Sequence, residues 1–397
     1  RGVTARVAAG FEPATLGDTR NVAVVGAAGR ELLDLDRAAQ RWLGDAVDAA
    51  RALGGVDAPT RLALVTRGAT QASGTASRPV DALAFGVALV GPGEYPQLRT
   101  TLVDLESEAA ADAAATTVDE LLAAADRVVA HRAGRRLVRE LQRVPVPAPD
   151  ATAATFRHGG TYVVTGALGG IGHVLARHLA SAHQANLVVV SSAPIPEGDE
   201  RERWLARHGG DDPTSRRIRR IVELEQLGTK VAVVTADLAD PMALRHALDE
   251  AERLVGRIDG AVHAAGVVRD RLIELATADD NEAVVGPKAR AAVVLADELE
   301  RRGADLLVLV SSTSTVPAPS GQTSYVAANA VLDALAGTRG KLRIATMGFG
   351  VWAGTGKAAE LAKRIRLGID DGEPVAHPVL AERHERRGEV SFTGSLD

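Results

Sequence analysis

With 397 residues, 46% hydrophobic and 24% charged, the chain has the makeup of an ordinary soluble protein and the length for two or three domain-sized units. A net charge of −5 has the wrong sign for a nucleic-acid surface, no apolar run approaches a membrane span, and no signal peptide opens the chain. The absence of cysteine excludes disulfides and thiolate metal sites, so neither metal, membrane nor nucleic acid is expected, and a cytoplasmic location is. The chain starts at Arg1 rather than Met and is expected to be part of something longer.

Helix and strand patterns alternate along the whole length. In the first half, Asn21–Gly29 (NVAVVGAAG), Arg61–Ala69 (RLALVTRGA) and Thr100–Glu106 (TTLVDLE) read as short buried strands between Ala-, Leu- and Arg-rich helical stretches. Gly26 and Gly29 lack a third glycine and are followed by Arg30 and Glu31, so this half is expected to bind no nucleotide. The segment Val144–Gly160, with three prolines and many small residues, reads as a linker or crossover.

The second half restarts the alternation. Its candidate strands are Thr161–Gly166, Asn186–Ser191, Lys230–Ala236, Gly260–Ala265, Asp305–Ser312, Arg343–Gly348 and Glu389–Gly394. Nearly all are continuous apolar runs, the pattern of parallel strands buried on both faces. The prediction is an α/β protein of two tandem Rossmann-like, doubly wound parallel-sheet subdomains: residues 1–150 truncated and non-catalytic, residues 151–397 catalytic.

Between a strand and a helix lies Thr165–Gly172 (TGALGGIG), with glycines at 166, 169, 170 and 172 and with Leu168 and Ile171 between them. A dinucleotide needs a tight turn, backbone that can approach the pyrophosphate, and a helix N-terminus offering free N–H groups. The spacing T-G-x-x-x-G-x-G resembles the short-chain dehydrogenase/reductase family. That resemblance assigns Asp237, followed by Leu238, to the adenine amino group, and passes the small residues Ala264, Ala265 and Gly266 beneath the cofactor. His263 reads as a local hydrogen-bonding residue and Asp240 as a helix cap.

Ser312 closes a strand, and Tyr325 opens a helix thirteen residues on, with Asn329 one turn later on the same face. A free phenol, with pKa near 10, is a sluggish acid at neutral pH without a nearby cation. Stand-alone family members place a lysine at the position Asn329 occupies. Here Pro287–Lys288 and Tyr325–Ala330 (YVAANA) resemble the ketoreductase domains of polyketide synthases, which exchange lysine and asparagine. The resemblance implies a tetrad in which Tyr325 donates the proton, Ser312 orients the carbonyl, Lys288 lowers the proton affinity of the phenol and Asn329 holds the relay geometry. It also extends to Pro79–Glu106, similar to the structural subdomain of such enzymes, and to Gly348–Gly356, similar to the segment leading into their substrate lid.

The implied activity is reduction of a β-ketoacyl thioester on an acyl carrier protein, next to neighbouring synthase domains, in a modular or iterative synthase. Two alternatives stay open: an α-ketoacyl reductase of a depsipeptide-forming nonribosomal synthetase, and a catalytically weak scaffold. The expected cofactor is NADPH. The arginine that usually pairs with its 2′-phosphate is replaced, after Ser191, by uncharged Ser192, so NADH is expected to bind as well. The tryptophan of the class giving L-configured alcohols is replaced by Pro317. Of the Leu-Asp-Asp marker of the D class, Asp270 survives, which points to a D-configured product.

Overall fold

The computed structural model describes residues 19–26, 35–72, 78–106, 110–123, 125–145 and 155–352, with three further strands at 373–374, 382–386 and 389–393. Gly29–Glu31, the middle of the linker and the end of the segment leading toward the lid lie outside the described residues. Among those described, three sheets form. The first has order β1-β2-β3-β4-β5: β1 (Asn21–Val25), β2 (Thr60–Arg67), β3 (Leu98–Leu105), β4 (Val128–Arg132) and β5 (Arg135–Val138). Its helices are α1 (Leu35–Gly54), α2 (Ala84–Glu94) and α3 (Ala110–Ala123). β1 to β4 run parallel; β5 returns antiparallel through Ala133 and Gly134, both at positive φ. At the C-terminal end of β3, buried Asp104 accepts from Thr66 Oγ1, Ala69 N and Thr70 N and pairs with Arg132.

The second sheet has order β11-β12-β10-β9-β6-β7-β8. Its strands are β6 (Thr161–Thr165), β7 (Asn186–Ser191), β8 (Val231–Thr235), β9 (Gly260–His263), β10 (Leu306–Ser312), β11 (Gly337–Arg339) and β12 (Leu342–Phe349). All pairings are parallel except the edge hairpin β11–β12. The helices are α4 (Gly170–His183), α5 (Asp199–Arg207), α6 (Pro213–Glu225), α7 (Pro241–Val255), α8 (Ala278–Val285), α9 (Ala291–Arg301) and α10 (Thr323–Leu335). Strand order reverses between β6 and β9, so the crevice for a ligand lies where Gly166, Ala264 and Ser312 leave their strands.

One sequence expectation fails here. Glu389–Gly394 does not join the parallel sheet. Its strand, β15 (Glu389–Thr393), pairs antiparallel with β14 (Glu382–Arg386), which pairs with β13 (Glu373–Pro374). Polar Glu389, Ser391 and Thr393 alternate with Val390 and Phe392, the period of an antiparallel ribbon rather than of a strand buried on both faces.

The two halves meet where α2 lies on the first turns of α10. A Cβ on Gly86 would fall 2.4 Å from Thr323 O and 2.8 Å from the Ala327 Cβ, so only glycine permits this approach. The helix that carries Tyr325 and Asn329 is thereby seated on the first half.

Candidate active site

The turn after β6 is closed by its glycines. Gly166 has φ of 74°, and a Cβ on Gly172 would lie 2.1 Å from Gly166 O, inside any tolerable contact. The N-terminus of α4 has Gly169 at its cap and no side chain bonded to it, leaving its first N–H groups for an anion. A Cβ on Gly166 would also strike Ala264 C and Ala265 N at 2.7 Å, so this turn and the Ala264–Gly266 segment are packed backbone to backbone. A cradle that any side chain would fill, ending on an uncapped helix, fits the pyrophosphate of a dinucleotide.

Below this cradle sits a polar cluster. Thr165 Oγ1 lies 2.7 Å from His263 Nδ1, and His263 Nε2 lies 2.9 Å from Lys288 O, all buried. The carbonyl can only accept, so Nε2 carries the proton and Thr165 donates to Nδ1. Burial, and secondarily the Lys288 ammonium, push the imidazole down to about 3. His263 is therefore neutral at physiological pH: it fixes the backbone of Lys288 and is no base. The sequence had marked it as a hydrogen-bonding residue without identifying its partner.

Lys288 sits in a π turn, Gly286–Arg290, between α8 and α9. Pro287 has no N–H to donate, and the hydrogen-bond ladder slips by one residue there. The side chain is 4% exposed; Nζ donates to Val310 O at 3.0 Å and stands 5.6 Å from the centre of the Tyr325 ring. Asn329, fully buried, donates from Nδ2 to Tyr325 O at 2.7 Å. Its Oδ1 is buried with no donor among the described residues.

Ser312 Oγ, at the end of β10, accepts from Ser314 N and donates to Ser314 Oγ, each at 3.1 Å. The backbone N–H holds the oxygen in place, so the hydroxyl proton can turn to a substrate oxygen without the side chain moving.

A family model described as KR domain matches residues 160–354. The spectinabilin polyketide synthase system protein NorA′ of Streptomyces orinoci is 36% identical over 329 residues, which is 80% of this chain and 8% of that protein. Among solved structures, that of A-type ketoreductases from a modular polyketide synthase superposes with a TM-score of 0.72 at 30% identity, covering 89% of this chain and 73% of the other. An A1-type ketoreductase gives a TM-score of 0.70 at 31% identity over 89% and 72%. The chain belongs to the polyketide synthase ketoreductase family. Its members are oxidoreductases that use NAD(P)H.

Among the four residues of the tetrad, Lys288 and Asn329 both lie against Tyr325, and Ser312 bonds Ser314. Around the cofactor cradle the assigned residues divide. Thr165 is engaged with His263, and Leu168 O accepts from Arg220 Nη1 while its side chain joins Ile195, Ile218 and Ile221. Asp237 is exposed and accepts from Ala239 N at 2.8 Å, whereas Asp240 caps α7 by accepting from Met242 N and Ala243 N. Leu238 is buried. Ser191 is buried and donates to Ala193 O at 2.7 Å; Ser192 is exposed. Among the described residues no helix is long and apolar enough to cross a membrane, and no metal-holding group of His, Asp and Glu forms.

Proposed function

We propose that this ketoreductase reduces a β-ketoacyl thioester, delivered by an acyl carrier protein of the synthase to which it belongs, to the β-hydroxyacyl thioester with NADPH. The observation that carries the reading is the buried Lys288 ammonium 5.6 Å from the Tyr325 ring, with Asn329 bonded one turn on. When bound, the dihydronicotinamide supplies the hydride. Tyr325 donates its phenolic proton to the ketone oxygen, and Ser312 Oγ–H donates a hydrogen bond to that oxygen as charge develops on it. Lys288 offsets the negative charge left on the phenol oxygen, and Asn329 holds the first turn of α10 in place. The turn Thr165–Gly172 would hold the pyrophosphate, Asp237 the adenine amino group, and Ala264–Gly266 would lie beneath the nicotinamide. Residues 1–150 would serve as the structural subdomain and 151–397 as the catalytic one.

The test is turnover of the domain with NADPH and matched β-keto and α-keto thioesters. Faster reduction of the β-keto compound is expected. A preference for the α-keto compound reassigns the substrate, and failure to bind cofactor at all marks a scaffold.

Product configuration is the next expectation. Asp270 accepts from Gln322 Nε2 at 3.1 Å, which ties its loop to the entry of α10, and no tryptophan stands at Pro317. The product is expected to be the D-configured alcohol by chiral chromatography of the reduced thioester. A dominant L product overturns this.

Cofactor choice turns on Ser192. Arg201, the next cation in the chain, is held by both oxygens of Glu225 at 2.8 and 2.9 Å and by Pro196 O, and Arg203 by Asp199 O. Discrimination between NADPH and NADH is therefore expected to be weak. Ser192→Arg adds a charge-assisted fork and is expected to tighten NADPH by roughly ten- to a hundred-fold, leaving NADH unchanged. Dissociation constants of both cofactors for both proteins check it. A strong NADPH preference that the arginine does not move means another cation reads the phosphate.

A further inference from the structure

The first half touches the loops around the catalytic groups through three side chains at one place. Helix α2 ends at Glu94, whose carboxylate accepts two backbone hydrogen bonds from different segments of the second half. Gly321 N donates to Oε1 at 2.7 Å and Ile273 N to Oε2 at 2.6 Å. Gly321 belongs to the loop that enters α10 just before Tyr325; Ile273 belongs to the loop that follows Gly266 and carries Asp270. These loops also bond each other, Arg271 N to Gly321 O at 2.8 Å and Gln322 Nε2 to Asp270 Oδ2 at 3.1 Å. Arg51 adds a fork onto Ile273 O at 3.2 and 2.9 Å and reaches Ala276 O at 2.8 Å, and Tyr95 OH donates to Glu274 Oε2 at 2.9 Å.

The gripped loop begins beside the chemistry. A Cβ on Gly266 would lie 3.5 Å from Lys288 Nζ. Directly after it the loop exposes Val267, Val268, Leu272 and Leu275, with exposed Arg269, Asp270, Arg271 and Glu274 among them, a mixed surface whose apolar members an acyl chain would contact. The separation between this loop and the start of α10 therefore bears on how a ketone lies against Tyr325, and the Glu94 carboxylate, which bonds both segments, helps to set it.

We infer that Glu94, in the half that holds none of the catalytic groups, is a positioning and specificity residue for the reduction. By pinning Ile273 and Gly321 to one carboxylate it fixes the loop of Asp270 against the helix of Tyr325, and so governs substrate fit and product configuration. The inference rests on the ketoreductase reading of the site. Its chemistry is specific to a carboxylate, which presents two acceptors and no donor; an amide of equal size turns an N–H toward one of the two backbone N–H groups.

Glu94→Gln, Glu94→Asp and Glu94→Ala, each in the whole chain, test it by two independent routes. Amide hydrogen exchange in peptides covering 270–276 and 318–323 is expected to quicken by about tenfold or more in the Gln and Ala variants, with the β6 and β10 peptides unchanged. In turnover, KM for the β-keto thioester is expected to rise by about tenfold in Glu94→Gln, with a larger share of the minor enantiomer and an NADPH dissociation constant within about twofold of the parent. Asp is expected to restore part of both, and carries the test with Gln where Ala does not fold. Unaltered exchange in both segments overturns the inference, as does quicker exchange with unaltered KM and enantiomer ratio. A parent that reduces no β-keto thioester refutes the proposed β-keto activity instead, and the exchange measurement still decides whether Glu94 pins the two loops.

Discussion

Tyr325→Phe is expected to lower turnover by at least about a hundredfold, the usual contribution of a positioned acid, while cofactor affinity and thermal stability stay close to those of the parent. Tyr325 sits in the first turn of α10, which is fixed from two sides: Gly86 of α2 packs against Thr323 O and Ala327, and Asn329 Nδ2 holds Tyr325 O from one turn on. Both contacts are with atoms other than the phenol oxygen. The ring of Phe keeps its packing, and the substitution deletes one hydroxyl without disturbing the helix. Saturated turnover with the β-keto thioester, read beside NADPH binding, checks it. Near-normal turnover would remove Tyr325 from the role of proton donor and leave Ser312 as the remaining hydroxyl for the ketone oxygen.

The parts of the site that the sequence disclosed are those whose spacing is rigid. Tyr325 and Asn329 share a helix face, and the glycines at 166 and 172 are required by contacts that no side chain tolerates. The parallel strands from β6 to β10 and β12 were legible as apolar runs. The short strands β4, β5 and β11 were not. β4 and β5 turn through Ala133 and Gly134, both at positive φ, and alanine in the first of these positions hides the turn that an Asn-Gly or Asp-Gly pair announces. β11 is a three-residue edge with no apolar run to read. The bond from His263 to Lys288 O and the grip of Glu94 on Ile273 and Gly321 join residues far apart in the chain, and local pattern carries no trace of either. Lys288 lay between these cases: its resemblance to a family position was readable, but the π turn that aims it at the ring arises from Pro287 breaking the helical ladder.

Lys288→Met is expected to lower turnover by about a hundredfold, in both directions of the reaction. Methionine keeps most of the length of the lysine stem and suits a side chain 4% exposed, so the packing beneath Gly266 survives. The losses include the hydrogen bond to Val310 O and the ammonium 5.6 Å from the centre of the Tyr325 ring. The first bears on stability; the second bears on the charge that proton transfer leaves on the phenol oxygen. Running the reaction in both directions separates them, because that charge is present in the same transition state whichever way the proton moves. Both rates of the variant are expected to fall together, by about a hundredfold, with a small loss of thermal stability. His263 stays neutral in either protein, since burial is the larger cause of its depressed proton affinity, and cannot replace the lost cation. A variant that is less stable, yet turns over at the parent's rate in both directions, would reduce Lys288 to a hydrogen-bond donor for β10.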